Sequence, residues 1–350
     1  MTRKDYEEIK NSFSEYIKTW KTRDTKPIDE IISPCVFFST STSLTMPNGA
    51  QDSIFGVRDF INDFPQTEDI HCRIYNYVCR IKGNEARTYA EVPCTAFNCG
   101  DEEIAFLEFT AMVTCKWEKT NEVWMIVDMR QEIVAERGSL KEQFETAWHF
   151  ERERVPSAHA GKSGTMFLTS SEKNEAGSRL PVLRGEGDSP WLNLADAEEL
   201  LTEEEKVKEA IVKYYFGIEH NSFIHSYEVI SDYYGAYAYK GAFEENKKDL
   251  INALKQDRQG RKYVLAPIKF TDIEIVENRA FVKAHQVRGL KQNSHEYGYT
   301  KENIMIEHVC SEVEFELVKE ANEWKIAFSN SYKGLYEVGN YTDHWYGDEC

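Results

Sequence analysis

Residues 74–90 read IYNYVCRIKGNEARTYA, and residues 268–284 read IKFTDIEIVENRAFVKA. In each, two runs rich in β-branched and aromatic residues follow one another, with Gly83-Asn84 as turn residues between those of the first, as Thr120-Asn121 is between the later strand runs of that half. That pattern reads as a β-hairpin, because Gly and Asn accept the left-handed backbone of a tight turn. Asn84-Glu85-Ala86 matches Asn278-Arg279-Ala280, and further on Asn121-Glu122-Val123-Trp124 matches Ala321-Asn322-Glu323-Trp324. Similarity that is weak but ordered along the chain is what an old duplication leaves.

Outward from the hairpins the two halves keep the same order. Tyr6, Ile9, Phe13, Tyr16, Ile17 and Trp20 fall at helical spacing, a short helix follows over Lys26–Ile32, and Pro34 turns the chain into the strand-like run Cys35–Phe38. A third helix is expected over Gly56–Phe64, then strands over Ile70–Lys82, Glu85–Asn98, Glu103–Lys119 and Val123–Val134. The second half opens with Thr202 capping a helix whose stripe is Val207, Ile211, Tyr214, Tyr215 and Ile218. A short helix over Phe223–Ser231, a strand over Tyr234–Tyr239 and a helix over Phe243–Asp257 come next. Strands over Ile268–Val276, Arg279–Leu290, Ile304–Lys319 and Trp324–Val338 complete the repeat. The Tyr233, Tyr234, Tyr237 and Tyr239 group reads as core and pocket wall.

Between the halves lies a Gly-, Ser- and charge-rich stretch, too long for an ordinary connection. Met166-Phe167-Leu168 and Pro190-Trp191-Leu192 are apolar anchors within it, so part of it is expected to lie against a domain surface. Its Gly161-Lys162-Ser163 lacks the upstream Gly of a phosphate loop, since Pro156 stands there.

The totals bound the function. At 350 residues the chain suits two domains, and 19 Tyr, 19 Phe and 7 Trp supply large rigid surfaces for cores and pockets. A net charge of -18 argues against nucleic acid, which needs clustered Lys and Arg. The charged first residues and the lack of a long apolar run point to a cytoplasmic protein with no membrane role. The eight cysteines, none in a C-x-x-C pair, read as reduced, mostly buried thiols, with no metal site.

Helix, helix, strand, helix and then long antiparallel strands is an α+β pattern. With Asn76, Cys79, Ile81, Gly83, Asn84 and Ala86 before the middle hairpin, and Trp124-Met125-Ile126 and Trp324-Lys325-Ile326 in the last ones, it resembles the SnoaL-like branch of the nuclear-transport-factor-2-like (NTF2-like) superfamily. The resemblance implies two cone-shaped domains in tandem, at 1–137 and 202–340, each a cystatin-like curved antiparallel sheet with three helices. A partly ordered linker at 138–201 joins them and a tail at 341–350 follows. It also implies an apolar pocket in each domain and sheet-to-sheet pairing as a pseudo-dimer within the chain, open to further homo-oligomerisation.

In enzymes of that superfamily a Tyr on the first helix, an Asp about five residues on and a His opening the strand after the third helix meet in the pocket. Carried over, these are Tyr16, Asp24 and His71 as catalytic candidates, with Lys21 standing five residues after Tyr16. A histidine could move a proton beside a carbonyl while Tyr16 stabilises the enolate. Trp20, Lys21, Asp128, Arg130, Tyr215, His220, His285 and His308 are candidates for the pocket wall, Asp128 and Arg130 because they alternate with Trp124 and Ile126. Each has a plainer reading: exposed strand-end or buried hydrogen-bonded histidine, core stripe, or solvated strand charge. Two functions stay open. One is a cofactor-independent lyase or isomerase, a dehydratase or ketosteroid-isomerase-type proton transfer on a small hydrophobic carbonyl compound. The other is a non-catalytic module for small-molecule binding or assembly, favoured by Lys21 standing where an acid is expected.

Overall fold

The computed structural model describes residues 2–40, 44–45, 52–62, 67, 69–99, 104–137, 189–237, 243–244, 246–259, 261–292 and 306–339. Two compact units divide them, the first holding the described residues up to Leu200 and the second those from Leu201. Met166-Phe167-Leu168 and Tyr239 lie outside the described residues.

The first unit opens with helix α1 (Arg3–Thr22). Its start is held by Asp5, whose carboxylate accepts the Thr2 backbone N–H at 2.9 Å. It stops at Arg23, which takes the left-handed conformation (φ 56) and returns its N–H to Thr19 O. Tyr6, Ile9, Phe13, Tyr16, Ile17 and Trp20 form its buried stripe. Helices α2 (Ile28–Ile31) and α3 (Asp52–Asn62) follow, with strands β1 (Ile32–Thr40) and β2 (Leu44–Thr45). The rest of the sheet is β3 (Asp69–Cys72), β4 (Tyr75–Lys82), β5 (Glu85–Cys99), β6 (Ile104–Thr120) and β7 (Val123–Arg137). Its order is β2-β1-β7-β6-β5-β3, with β4 also on β5.

Two details depart from expectation. The curved sheet is mixed rather than antiparallel, because β1 runs parallel to β7. The single strand expected over Ile70–Lys82 is two, β3 and β4, both antiparallel to β5, and Arg73 N–H reaches Pro93 O at 3.2 Å where they part.

The second unit repeats the plan. Helices α5 (Glu203–Glu219), α6 (Phe223–Glu228) and α7 (Lys247–Gln259) accompany β8 (Ile230–Tyr237), β9 (Phe243–Glu244), β10 (Arg261–Leu265), β11 (Ile268–Val276), β12 (Arg279–Gln292), β13 (Ile306–Glu320) and β14 (Glu323–Gly339). Helix α4 is the single turn Pro190–Asn193 that precedes them. The sheet order β10-β12-β13-β14-β8-β9, with β11 on β12 and β8 parallel to β14, is that of the first sheet, strand for strand. Val207, Ile211, Tyr214 and Ile218 of α5 pack with Val282, Phe315, Leu317, Trp324 and Ile326 in its core.

Within the stretch expected to link the halves, Ser189–Leu200 belongs to the first unit. Pro190 and Trp191 are buried, Arg80 Nε donates to Leu194 O at 3.1 Å, and Glu198 N–H reaches Ile81 O at 2.8 Å. Trp191 thus anchors the chain as its apolar bulk suggested.

Three expectations are corrected. Cys72 and Cys94 are not reduced thiols; they stand directly opposite each other in the β3–β5 pairing and form a disulfide. Tyr233 is not core but 89% exposed, because four residues of β8 lie between those opposite Ile326 and Phe328 of β14 and carry it outward, while Tyr234 turns in. Asp128 and Arg130 do not share a face with Trp124 and Ile126. In the β6–β7 pairing Trp117 opposes Ile126 and Lys116 opposes Asp128, so Val127 is an extra residue, a β-bulge. The bulge flips the alternation, so that Met129 and Gln131 continue the buried face. The second unit repeats it at Ala327, between Ile326 opposite Leu317 and Phe328 opposite Glu316.

Candidate functional site

The bulge makes the concave face of the first sheet aromatic and nearly apolar. Trp117, Cys115, Trp124, Ile126, Met129 and Gln131 line it, and α1 lays Tyr16 and Trp20 against it. The rings interlock: Trp20 meets Tyr16 at 5.9 Å and Phe60 of α3 at 5.6 Å, and Phe60 meets Phe38 of β1 at 5.9 Å, all edge to face. Tyr16, Trp20, Phe38, Trp117, Cys115 and Gln131 are fully buried.

A few polar groups are shut in with them. Trp117 Nε1 donates to Thr88 Oγ1 at 2.9 Å. The Tyr16 hydroxyl faces Trp20 and Gln131 without a hydrogen bond of good geometry, and the Gln131 amide is unsatisfied at both ends. Burial pushes the Tyr16 phenol well above its ordinary range, so at neutral pH it is a neutral hydroxyl.

The other candidates stand elsewhere. His71 lies on the edge strand β3, between Ile70 and Cys72, whose partners Ala96 and Cys94 are buried. Strand alternation therefore turns His71 outward, where its side chain is 58% exposed, its ring stacked on Phe97 at 5.9 Å. Its Nε2 is 3.0 Å from Asp69 Oδ2, and Lys21 Nζ is 3.5 Å from Asp69 Oδ1. Partial desolvation works the other way, but His71 and Lys21 together hold the Asp69 carboxyl below its usual value. The structure thus gathers Lys21, Asp69 and His71 at the surface and does not bring His71 to Tyr16. Asp24 is exposed and lines an open cleft of about 920 Å³ on the outer side of α1, with Glu8, Glu15, Glu30, Val123 and Met125. Asp128 and Arg130 are half-buried neighbours on the convex face, 3.4 Å apart.

In the second unit, setting Asp5 against Glu203 pairs Ile9, Phe13, Tyr16 and Trp20 with Val207, Ile211, Tyr214 and Ile218. Tyr214 rather than Tyr215 then stands where Tyr16 does, and Glu219 where Lys21 does. Tyr215, half-buried, meets Phe315 edge-on at 6.2 Å. Glu219 is fully buried, and its Oε1 accepts the Ala266 N–H at 2.5 Å. Sequence reading passed over it, although it stands five residues after Tyr214, the spacing sought. His220 closes α5, Nδ1 3.1 Å from Phe216 O and ring stacked on Phe216 at 4.0 Å. His225, buried, meets the same ring at 5.3 Å. His285 is half-buried on β12, on the face of Phe281 and Lys283, while Ala284 and Gln286 turn to the core. His308 lies in β13 opposite Gly289, and its side chain is outside the described residues.

Among the described residues no three His, Cys, Asp or Glu side chains gather as metal ligands would, and no helix is long and apolar enough to cross a membrane.

No family model and no curated protein matches the chain. Solved structures do. Protein Kfla4162 from Kribbella flavida is 15% identical over 39% of this chain and 92% of its own, with a TM-score of 0.35. A ketosteroid isomerase-like protein from Erwinia carotovora is 12% identical over 39% of this chain and 99% of its own, with a TM-score of 0.33. A proposed dehydratase of the NTF2-like family from Streptomyces avermitilis is 8% identical over 36% of this chain and 93% of its own, with a TM-score of 0.32.

Proposed function

We propose that the chain is a non-catalytic module of the NTF2-like kind, built from two cup-shaped domains of one α+β design in tandem, and that the first has closed its cup with its own side chains. One observation carries the reading: Tyr16, Trp20, Trp117 and Gln131 have no exposed surface, and the described His71 and Asp24 lie outside that interior. A proton transfer needs an acid-base group within hydrogen-bond reach of a bound substrate. A buried neutral phenol without such a neighbour supplies a hydrophobic wall. The matching strand orders of the two sheets support the tandem design.

The full chain should show no thermal shift with a panel of small hydrophobic ketones and hydroxy-ketones. Trp20→Ala should bind indole in the vacated space, as dry engineered cavities take up aromatic ligands. Saturable binding or turnover of a carbonyl compound by the unaltered chain, lost in Tyr16→Phe, would overturn the reading.

The lyase or isomerase reading has one specific support, the second unit's Glu219, a fully buried carboxylate five residues after Tyr214. Turnover lost in Glu219→Gln but kept in Tyr16→Phe would favour it.

A further inference from the structure

We propose that Cys72 and Cys94 form a reversible redox latch that fastens the edge of the first sheet. The two residues are direct partners across β3 and β5, with Cα atoms 4.3 Å apart. That is close to the spacing of about 4.5 Å in a non-hydrogen-bonded antiparallel pair, where side chains approach most nearly. The register alone therefore brings the two sulfurs together. Cys94 is buried, and Cys72 is the less buried of the two.

The strand so fastened is a weak one. β3 has only four residues and is the last strand on its side of the sheet. Its Ile70 reaches the core, and its Asp69 holds Lys21 at the end of α1. The disulfide joins cysteines 22 positions apart in sequence and closes a covalent ring that contains β4 and the β4–β5 turn. Opening it leaves β3 attached by a few backbone hydrogen bonds, one buried side chain and two surface contacts, Asp69 to Lys21 and His71 to Phe97, so the edge frays. Cys35, Cys79, Cys115 and Cys310 are free thiols, so among the cysteines whose side chains are described only Cys72 and Cys94 are linked.

The chemistry is thiol–disulfide exchange with a dithiol of the thioredoxin or dithiothreitol class. A thiolate of the dithiol attacks Cys72 Sγ, the S–S bond breaks, and Cys94 leaves as a thiolate that takes up a proton. The second thiol of the reagent, once deprotonated, attacks the mixed disulfide. Cys72 departs as a thiolate and is protonated in turn. Two electrons and two protons pass to the protein, and the reagent ends as its own disulfide. Oxidised glutathione drives the reverse.

The test uses the full chain equilibrated with oxidised glutathione or with dithiothreitol. Mass spectrometry after alkylation should find a linked Cys72–Cys94 peptide pair in the first sample and both cysteines alkylated in the second. Reduction should lower Tm by several degrees and speed amide exchange over residues 69–72 by roughly tenfold or more. Cys94→Ser, with Cys72→Ser as the second variant should the first not fold, should make Tm indifferent to reductant. Alkylation of both cysteines after glutathione oxidation would overturn the proposal, as would an equal response to reductant in wild type and variant.

Discussion

The indole Nε1 of Trp124 donates to Asp5 Oδ1 at 3.0 Å, and the same bond recurs between Trp324 Nε1 and Glu203 Oε2 at 3.0 Å. A lysine completes each set, Lys119 at 2.9 Å from Asp5 and Lys319 at 2.7 Å from Glu203. In both units one carboxylate at the start of the first helix ties it to the last hairpin.

The two ties should differ in strength. Asp5 is buried, so Asp5→Ala leaves the Trp124 indole N–H unpaired in partly dry surroundings, while Lys119 keeps its ion pair with Glu122 at 2.9 Å, and should cost about 1–3 kcal/mol. The Glu203 side chain is 44% exposed, and Glu203→Ala should cost about 1 kcal/mol or less. Urea unfolding of the variants checks the ranking, which fails if Glu203→Ala proves the more damaging.

Acid should loosen the same ties. Bonds from Lys319 and Lys206 bring the Glu203 carboxyl down to about 2 from an ordinary 4.5. Burial would raise Asp5, but bonds from Lys119, Trp124 and the Thr2 backbone outweigh it and hold the group well below the usual carboxylate range. Both groups bind protons more readily unfolded, so their stabilisation is whole above about pH 4.5 and fades as pH falls toward 2, Asp5 yielding last. Glu203→Gln should shrink the drop in urea midpoint across that window, and an unchanged drop would refute the assignment.

The hairpins and the Trp124 and Trp324 positions were legible in the sequence because turn residues and strand periodicity are local signals. The parallel β1–β7 pair was not, since it joins segments about 90 residues apart. Nor was the extra residue at Val127, because a bulge is a fact about the partner strand's register and Asp128 alternates with Ile126 as neatly as an unbulged strand requires. The same blindness hid the Cys72–Cys94 pair. Tyr16 and Trp20 were legible as a stripe, but whether a stripe bounds a hollow or fills it depends on rings from Phe38 and Phe60, remote in sequence.

Tyr16→Phe separates wall from catalyst. Its hydroxyl lacks a well-formed bond, so removing it should change stability by no more than about 1 kcal/mol, in either direction. A loss above about 2 kcal/mol by calorimetry would mean that the hydroxyl is bonded after all.

Gly217 sits in the last turn of α5, where alanine is still normally the better helix former, by up to about 1 kcal/mol. A Cβ there would stand 2.7 Å from Ser226 N and 3.0 Å from Ser222 O, backbone atoms of α6 and of the residue that caps it. These atoms cannot swing aside as a side chain does, and Ser226 Oγ is already committed to Tyr214 O at 2.7 Å. Gly217→Ala should therefore destabilise by roughly 2 kcal/mol or more, reversing the propensity gain. A thermal midpoint at or above wild type would show that α5 and α6 separate more easily than their packing indicates.

His225 should set the second unit's behaviour in mild acid. Burial chiefly, with Lys213 adding to it and Glu228 opposing, lowers its pKa from 6.5 to about 4. The imidazole is thus buried neutral against Phe216. The unfolded chain takes up that proton more readily than the folded one. Stability from this residue is accordingly complete above about pH 6.5 and is lost as pH falls toward 4, by an amount on the order of 2 kcal/mol. The loss precedes that from Glu203, so unfolding followed at pH 7, 5.5 and 4 should show an early decline. His225→Phe, whose ring keeps the contact with Phe216 but cannot take a proton, should flatten that decline and leave the later one in place. An identical profile in the variant would mean that the early decline belongs to another group.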